Sequence, residues 1–150
     1  MEQQALQRLE AAKDLWRTRI ISFLNEFTVH NAQWREVCEK PLATGASVDI
    51  PDLRARYIHF SGTGLAVVCG IGHTILTSED VTPQTLTASQ CEQIKKLALL
   101  DWSRDNKLWR GYLVTPAGNI ANQRKITATA IAKIKDHLNI PLTEKEKTLV

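Results

Sequence analysis

The sequence predicts an α+β domain: an antiparallel sheet of four to five strands covered by a long N-terminal helix, a middle helix and a C-terminal helix. Three observations carry that expectation. Apolar residues recur at spacings of three and four within 6–27, 88–102 and 127–138. β-rich runs over 55–77 are punctuated by Gly62, Gly64, Gly70 and Gly72, and the run LWRGYLV at 108–114 alternates enough for a strand. At 150 residues, 43% hydrophobic and 23% charged, the chain reads as one domain, 1–150, able to bury a core without covalent staples.

Leu6, Leu9, Trp16, Ile20, Phe23 and Phe27 form one stripe, interrupted at Lys13, and predict a helix long enough to pack on its own sheet or to meet a second copy. Asn31 is placed to cap a second short helix through Glu39, which Pro41 then stops. The stretch PLATGASVDIPD reads as a loop with a short strand at 47–50. A meander follows near 55–60, 65–69 and 73–77, the glycines supplying the reversals. Its middle strand, LAVVC, is apolar on both faces and therefore central.

Residues 80–87, with Pro83, form a polar connection. A helix starts at Thr87 or Ala88 and runs towards Asp105 and Asn106, carrying Cys91, Ile94, Leu97, Ala98 and Trp102 on its apolar side. Thr115-Pro116-Ala117-Gly118 reads as a turn with Pro second and Gly fourth. Residues 119–126 fit either a return strand or the first turns of the last helix, which is fixed from Thr127 by Ala130, Ile131, Ile134 and Leu138. Pro141 ends it, and residues 142–150 are expected as a loose tail.

Three cysteines, Cys38, Cys69 and Cys91, are odd in number and fit neither a disulfide framework nor paired zinc knuckles. With no secretory leader and no apolar run of membrane length, the expected setting is the cytoplasm, with no membrane partner. His30, His59, His73 and His137 are scattered, so no metal or other cofactor is expected. Cys69 beside His59 or His73 would be a nucleophile pair, but an inert buried cysteine is the ordinary occupant of such a strand.

Charge is the strongest functional signal. Residues 94–138 hold nine Lys/Arg against three Asp/Glu on a chain of net +3, so the remainder is acidic by the same measure and the molecule is polarised. A basic surface concentrates phosphates. Trp109, Tyr112, Asn119, Asn122 and Gln123 lie among those charges and supply groups that meet bases. The binding residues expected on this basis are Lys107, Trp109, Arg110, Arg124, Lys125, Lys133 and Lys135. Trp109 serves as an anchor only if it is exposed.

The order helix, three strands, helix, strand is similar to that of metal-dependent nuclease cores, and Pro51-Asp52 matches the first part of their motif. The acidic-x-Lys triplet is missing: the central strand reads LAVVCGIG, and Glu79 has no lysine two residues on. Size and element order also resemble the dimeric chaperones of type III secretion, without a shared motif. The reading the sequence favours is a non-enzymatic interaction or regulatory module, a homodimer, whose basic C-terminal half binds an acidic partner: DNA or RNA first, an acidic protein second. A protein-binding adaptor or chaperone-like dimer is the alternative, and a nuclease with a degenerate motif ranks below both.

Overall fold

The run 55–77 that reads as three strands is the end of one helix, a 3-10 turn and a second, longer helix that takes in the last two. In the computed structural model, which describes residues 2–79 and 85–150, no strand is present among the described residues and the expected antiparallel sheet is replaced by helices. They are α1 (Glu2–His30), α2 (Ala32–Thr44), α3 (Ile50–Arg56), a 3-10 turn (Ile58–Phe60), α4 (Gly62–Thr77), α5 (Ala88–Ala98), α6 (Arg124–His137) and α7 (Glu144–Lys147). The connection expected at 80–87 lies, for 80–84, outside the described residues.

The physical reason for the correction is in α4. Its buried residues, Gly64, Val67, Val68, Ile71, Gly72, Ile75 and Leu76, recur at three and four, and the glycines belong to that stripe. Ser61 caps the helix, its Oγ accepting from the Gly64 amide at 3.0 Å. Gly64 and Gly72 are not turn residues. A Cβ on Gly64 would stand 1.9 Å from the Ile58 carbonyl oxygen, and one on Gly72 would stand 2.6 Å from the Phe23 ring. They give the 3-10 turn and α1 close approach to α4, while α6 packs along another side, where Ile131 comes against Gly70.

The first helix runs further than its stripe predicts, 29 residues, or about 43 Å at 1.5 Å per residue. Phe23 and Phe27 are buried, whereas Leu6 and Leu9 are 60% and 68% exposed. Only its C-terminal half packs on the body, chiefly against α5. Arg19 is buried there and donates from a guanidinium nitrogen to the Leu76 carbonyl at 2.6 Å, near the end of α4.

Asn31 caps α2 as expected, its Oδ1 accepting from the Trp34 amide. Pro41 does not stop that helix, which continues to Thr44 and closes on Gly45 at φ 67°; the amide missing at Pro41 belongs to an exposed stretch where solvent satisfies the carbonyl left over. The strand expected at 47–50 is the entry to α3: Asp49 caps it through the Asp52 amide, and Pro51 occupies its first turn. Thr87 and Gln90 form a reciprocal capping box on α5. That helix ends at Ala98, short of the expected Asp105, and Trp102 instead folds back with its Nε1 on the Leu97 carbonyl.

The strand expected at 108–114 is a chain of turns. Asn106 accepts from the Leu108 amide through its side chain and from the Trp109 and Arg110 amides through its carbonyl, and Gly111 sits at φ 96°. Isolated bridges at Tyr57–Ser103, Arg110–Val114 and Val114–Ile120 are the β pairing found among the described residues. The Thr115–Gly118 turn forms as expected. Ile120 pairs with Val114 before α6 begins at Arg124, so 119–126 is half bridge and half helix. Residues 144–147, in the expected tail, form α7 with a Thr143–Glu146 capping box. The core gathers Phe27, Ile58, Val67, Ile71, Ile94, Leu97, Trp102, Trp109, Leu113 and Ile134, all at most 1% exposed; each such aliphatic side chain contributes roughly 1.5–3 kcal/mol.

Candidate nucleic-acid interface

The end of α3 meets the loop after Trp102 through two backbone hydrogen bonds: Ile58 N–H donates to Trp102 O, and Arg104 N–H to Arg56 O, both at 3.0 Å. This pairing opens a cleft of about 450 Å³ whose walls carry Arg56, Arg104, Arg110, Tyr57 and Thr115, with Asp105 as the acid among them. Arg104 ties the walls together, its two terminal nitrogens donating to the Gly118 and Arg54 carbonyls at 2.6 Å each. Those partners are neutral, so they orient the guanidinium without cancelling its charge.

Arg110 reaches Asp105 at 3.1 Å, with both side chains largely exposed. Such a pair is worth little and exchanges readily for a phosphate. Arg56 is bound to Asp52 one turn back, its Nε donating at 2.9 Å, and that hydrogen bond holds its guanidinium above the usual arginine value. Arg56 and Arg104 are the cleft residues that the charge pattern missed or ranked low. Arg56 precedes the basic segment, inside what read as a strand, and the local signal for it was the pair Arg54-Ala55-Arg56 at a helix end.

The seven residues singled out by sequence separate into three groups. Arg110 lines the cleft. Lys107, Arg124, Lys125 and Lys133 are exposed, and Lys133 lies 4.6 Å over the Tyr112 ring. The chain brings Arg124 and Lys125 close to the same loop, because the Ala121 amide donates to Leu113 O at 2.9 Å and Arg124 follows three residues on, no more than about 11 Å away. Both cations occupy the first turn of α6, which has no acidic residue there and no side-chain cap from Gln123. Like charge at a helix N-terminus is unfavourable until an anion joins it.

Trp109 and Lys135 are interior. Trp109 has no exposed surface; it stacks on Trp102 at 5.5 Å and donates from Nε1 to Ser103 O. Its polar neighbours in sequence turn outwards while the indole turns inwards, so it holds the loop and meets no partner. Lys135 is fully buried and paired with Glu146 at 2.6 Å. Tyr112, half-buried beneath Lys133, donates to Leu108 O, and its partial burial pushes its phenol up to about 12.

Asp52 lies in α3 against Arg56, and no strand sets a second carboxylate and a lysine beside it among the described residues, so the strand arrangement of the nuclease cores, the lowest-ranked comparison, is not found there. No group of three His, Cys, Asp or Glu side chains converges among the described residues. None of the described helices is long and apolar enough to cross a membrane.

No curated protein and no solved structure matches the chain. A family model does, over residues 2–141, which takes in the arginine cleft and α6. On that match the chain belongs to the DndB family, described as DNA-sulfur modification-associated.

Proposed function

We propose that this chain is a non-enzymatic DNA-binding module of a DNA-sulfur modification system, holding the phosphate backbone on the surface formed by the arginine cleft, the first turn of α6 and Lys133. The observation that carries the reading is the cleft itself: three guanidiniums on its walls, with Arg56 paired to Asp52, Arg110 paired to the exposed Asp105, and Arg104 held by neutral carbonyls alone. A family associated with DNA modification supplies the context. The contacts are to phosphate, so binding is weakly dependent on sequence and strongly dependent on salt.

The test is binding of a duplex oligonucleotide across a salt series. Arg110→Glu and the double variant Arg124→Glu/Lys125→Glu each lose affinity at low salt, and the slope of log K against log salt shrinks by about one for each phosphate contact removed. Unchanged affinity and slope in both variants would remove this reading.

Self-association is a second reading with its own observation. The outer half of α1 continues the apolar stripe away from the body, with Leu6 and Leu9 60% and 68% exposed, and Ile20, further along the helix, is 49% exposed. A homodimer through this helix predicts a doubled mass in solution that Leu6→Glu/Leu9→Glu returns to the monomer value.

A further inference from the structure

On the other side of the Tyr57–His59 segment lies a second concavity, of about 350 Å³, walled by Trp34, Val37, Phe60 and Leu65 with His59 and Gly62. Two ring nitrogens of its walls are buried without a hydrogen-bond partner, Trp34 Nε1 and His59 Nδ1. Native proteins pair nearly all such atoms, and leaving one unpaired is costly. Both belong to side chains that wall the same apolar hollow, where a molecule with a matching acceptor and donor would pair them.

The roles of the two nitrogens follow from Asn31. Its Nδ2 donates to Ala98 O and its Oδ1 accepts from the Trp34 amide, both at 3.0 Å. His59 Nε2, 3.3 Å from that same Oδ1, must therefore be the protonated nitrogen, and Nδ1 carries a bare lone pair. Burial pushes the imidazole down to about 3, which keeps it neutral. The hollow thus offers one donor, on Trp34, and one acceptor, on His59, between aromatic rings and with no charged wall.

We propose that this hollow receives a nucleobase, whose aromatic face suits Trp34 and Phe60 and whose edge presents the acceptor and donor that Trp34 Nε1 and His59 Nδ1 lack. A phosphate or carboxylate finds no counter-charge here, and an alkyl chain leaves both nitrogens unpaired. Both nitrogens are covered in the empty hollow, so the half-buried Trp34 and the buried His59 must shift when a base enters. Gly62 lines the hollow, and a Cβ there would meet no atom within 4 Å, so a larger side chain can be placed at its edge without a clash at its first carbon. The Tyr57 ring of the arginine cleft packs 5.9 Å from the His59 ring, so the phosphate and base sites are divided by one pair of rings. The proposal rests on the DNA reading only for the source of the base, which is either a free nucleoside or an unstacked base of a single strand.

The test titrates the full chain with each of the four deoxynucleosides and with a short single-stranded oligonucleotide, following the indole N–H resonance of Trp34, assigned by Trp34→Phe. A saturable shift that disappears in Gly62→Leu and weakens about tenfold in His59→Phe supports the proposal. Should only the oligonucleotide produce it, with the same variant dependence, the base is taken from a strand. No saturable shift with any ligand, or a shift that persists in a folded Gly62→Leu protein, overturns it; if that variant does not fold, undiminished binding by His59→Phe does the same. Deoxynucleosides carry no phosphate and Arg110→Glu leaves their binding intact, so failure here is separable from failure of the phosphate surface.

Discussion

Lys135 on α6 and Glu146 on α7 form an ion pair of 2.6 Å in which the ammonium is wholly buried and the carboxylate is 19% exposed. Glu146 also accepts from the Thr143 amide at 2.8 Å, so one carboxylate both caps α7 and anchors it to α6. Burial by itself pushes this carboxyl up, but the hydrogen bonds from Lys135 and Thr143 and the charge of Lys135 outweigh it, and the net displacement is downwards.

The pair responds asymmetrically to mutation. Glu146→Ala strands a buried ammonium and costs about 3–5 kcal/mol, whereas Lys135→Met fills the same space without charge and costs far less. Urea unfolding of the two variants checks the ranking. Because the folded carboxyl titrates below its ordinary value near 4.5, its contribution is complete above that value and is lost as pH falls through the lower folded one.

His59 imposes a second, wider pH dependence. Its imidazole titrates near 6.5 when unfolded and about 3 when folded, displaced by burial. Between those values the unfolded chain binds the extra proton, so stability rises with pH across the window, by up to about 1.4 kcal/mol per pH unit. His59→Phe removes that slope, and thermal unfolding from pH 4 to 7 measures it.

Two glycines on the same helix have opposite tolerances. Gly64→Ala drives a methyl group into the Ile58 carbonyl and destabilises by about 3 kcal/mol or more. Gly62→Ala enters open space at the start of α4 and stabilises by about 0.5–1 kcal/mol. Paired melting curves decide between this packing role and the turn role that the sequence suggests.

Trp109→Ala lowers stability by about 3–5 kcal/mol, because the indole is fully buried against Trp102. Trp109→Phe keeps most of the ring, and its affinity for duplex DNA equals that of the unsubstituted protein. A specific loss of DNA affinity in folded Trp109→Phe would return the indole to the interface.

The helices with one apolar stripe and a local cap were legible in sequence. For α1, α5 and α6 the spacing of large residues carried the information, and for α2 and α5 so did Asn31 and Thr87. What misled the reading was α4. The dipeptide punctuation of Gly62, Gly64, Gly70 and Gly72 looks like turns, yet their neighbours Val67, Val68, Ile71, Ile75 and Leu76 keep a helical period. The physical demand at Gly64, Gly70 and Gly72 is close approach, not positive φ, and only the positions of Ile58, Ile131 and Phe23 reveal it.

The same division runs through the candidate site. Sequence determined that the C-terminal half is basic and that the chain can bury a core, whereas the start of α6 at Arg124, with two cations in its first turn, was settled only by the fold. Tertiary structure decided which charges face outwards. Lys135 and Trp109 went into the core because Glu146 and Trp102 were there to receive them, and Arg56, far away in sequence, joined Arg104 and Arg110 because a pair of backbone hydrogen bonds brought the end of α3 against the loop. Composition records how many charges a chain carries, but exposure depends on partners many residues distant, and those are set only when the chain folds.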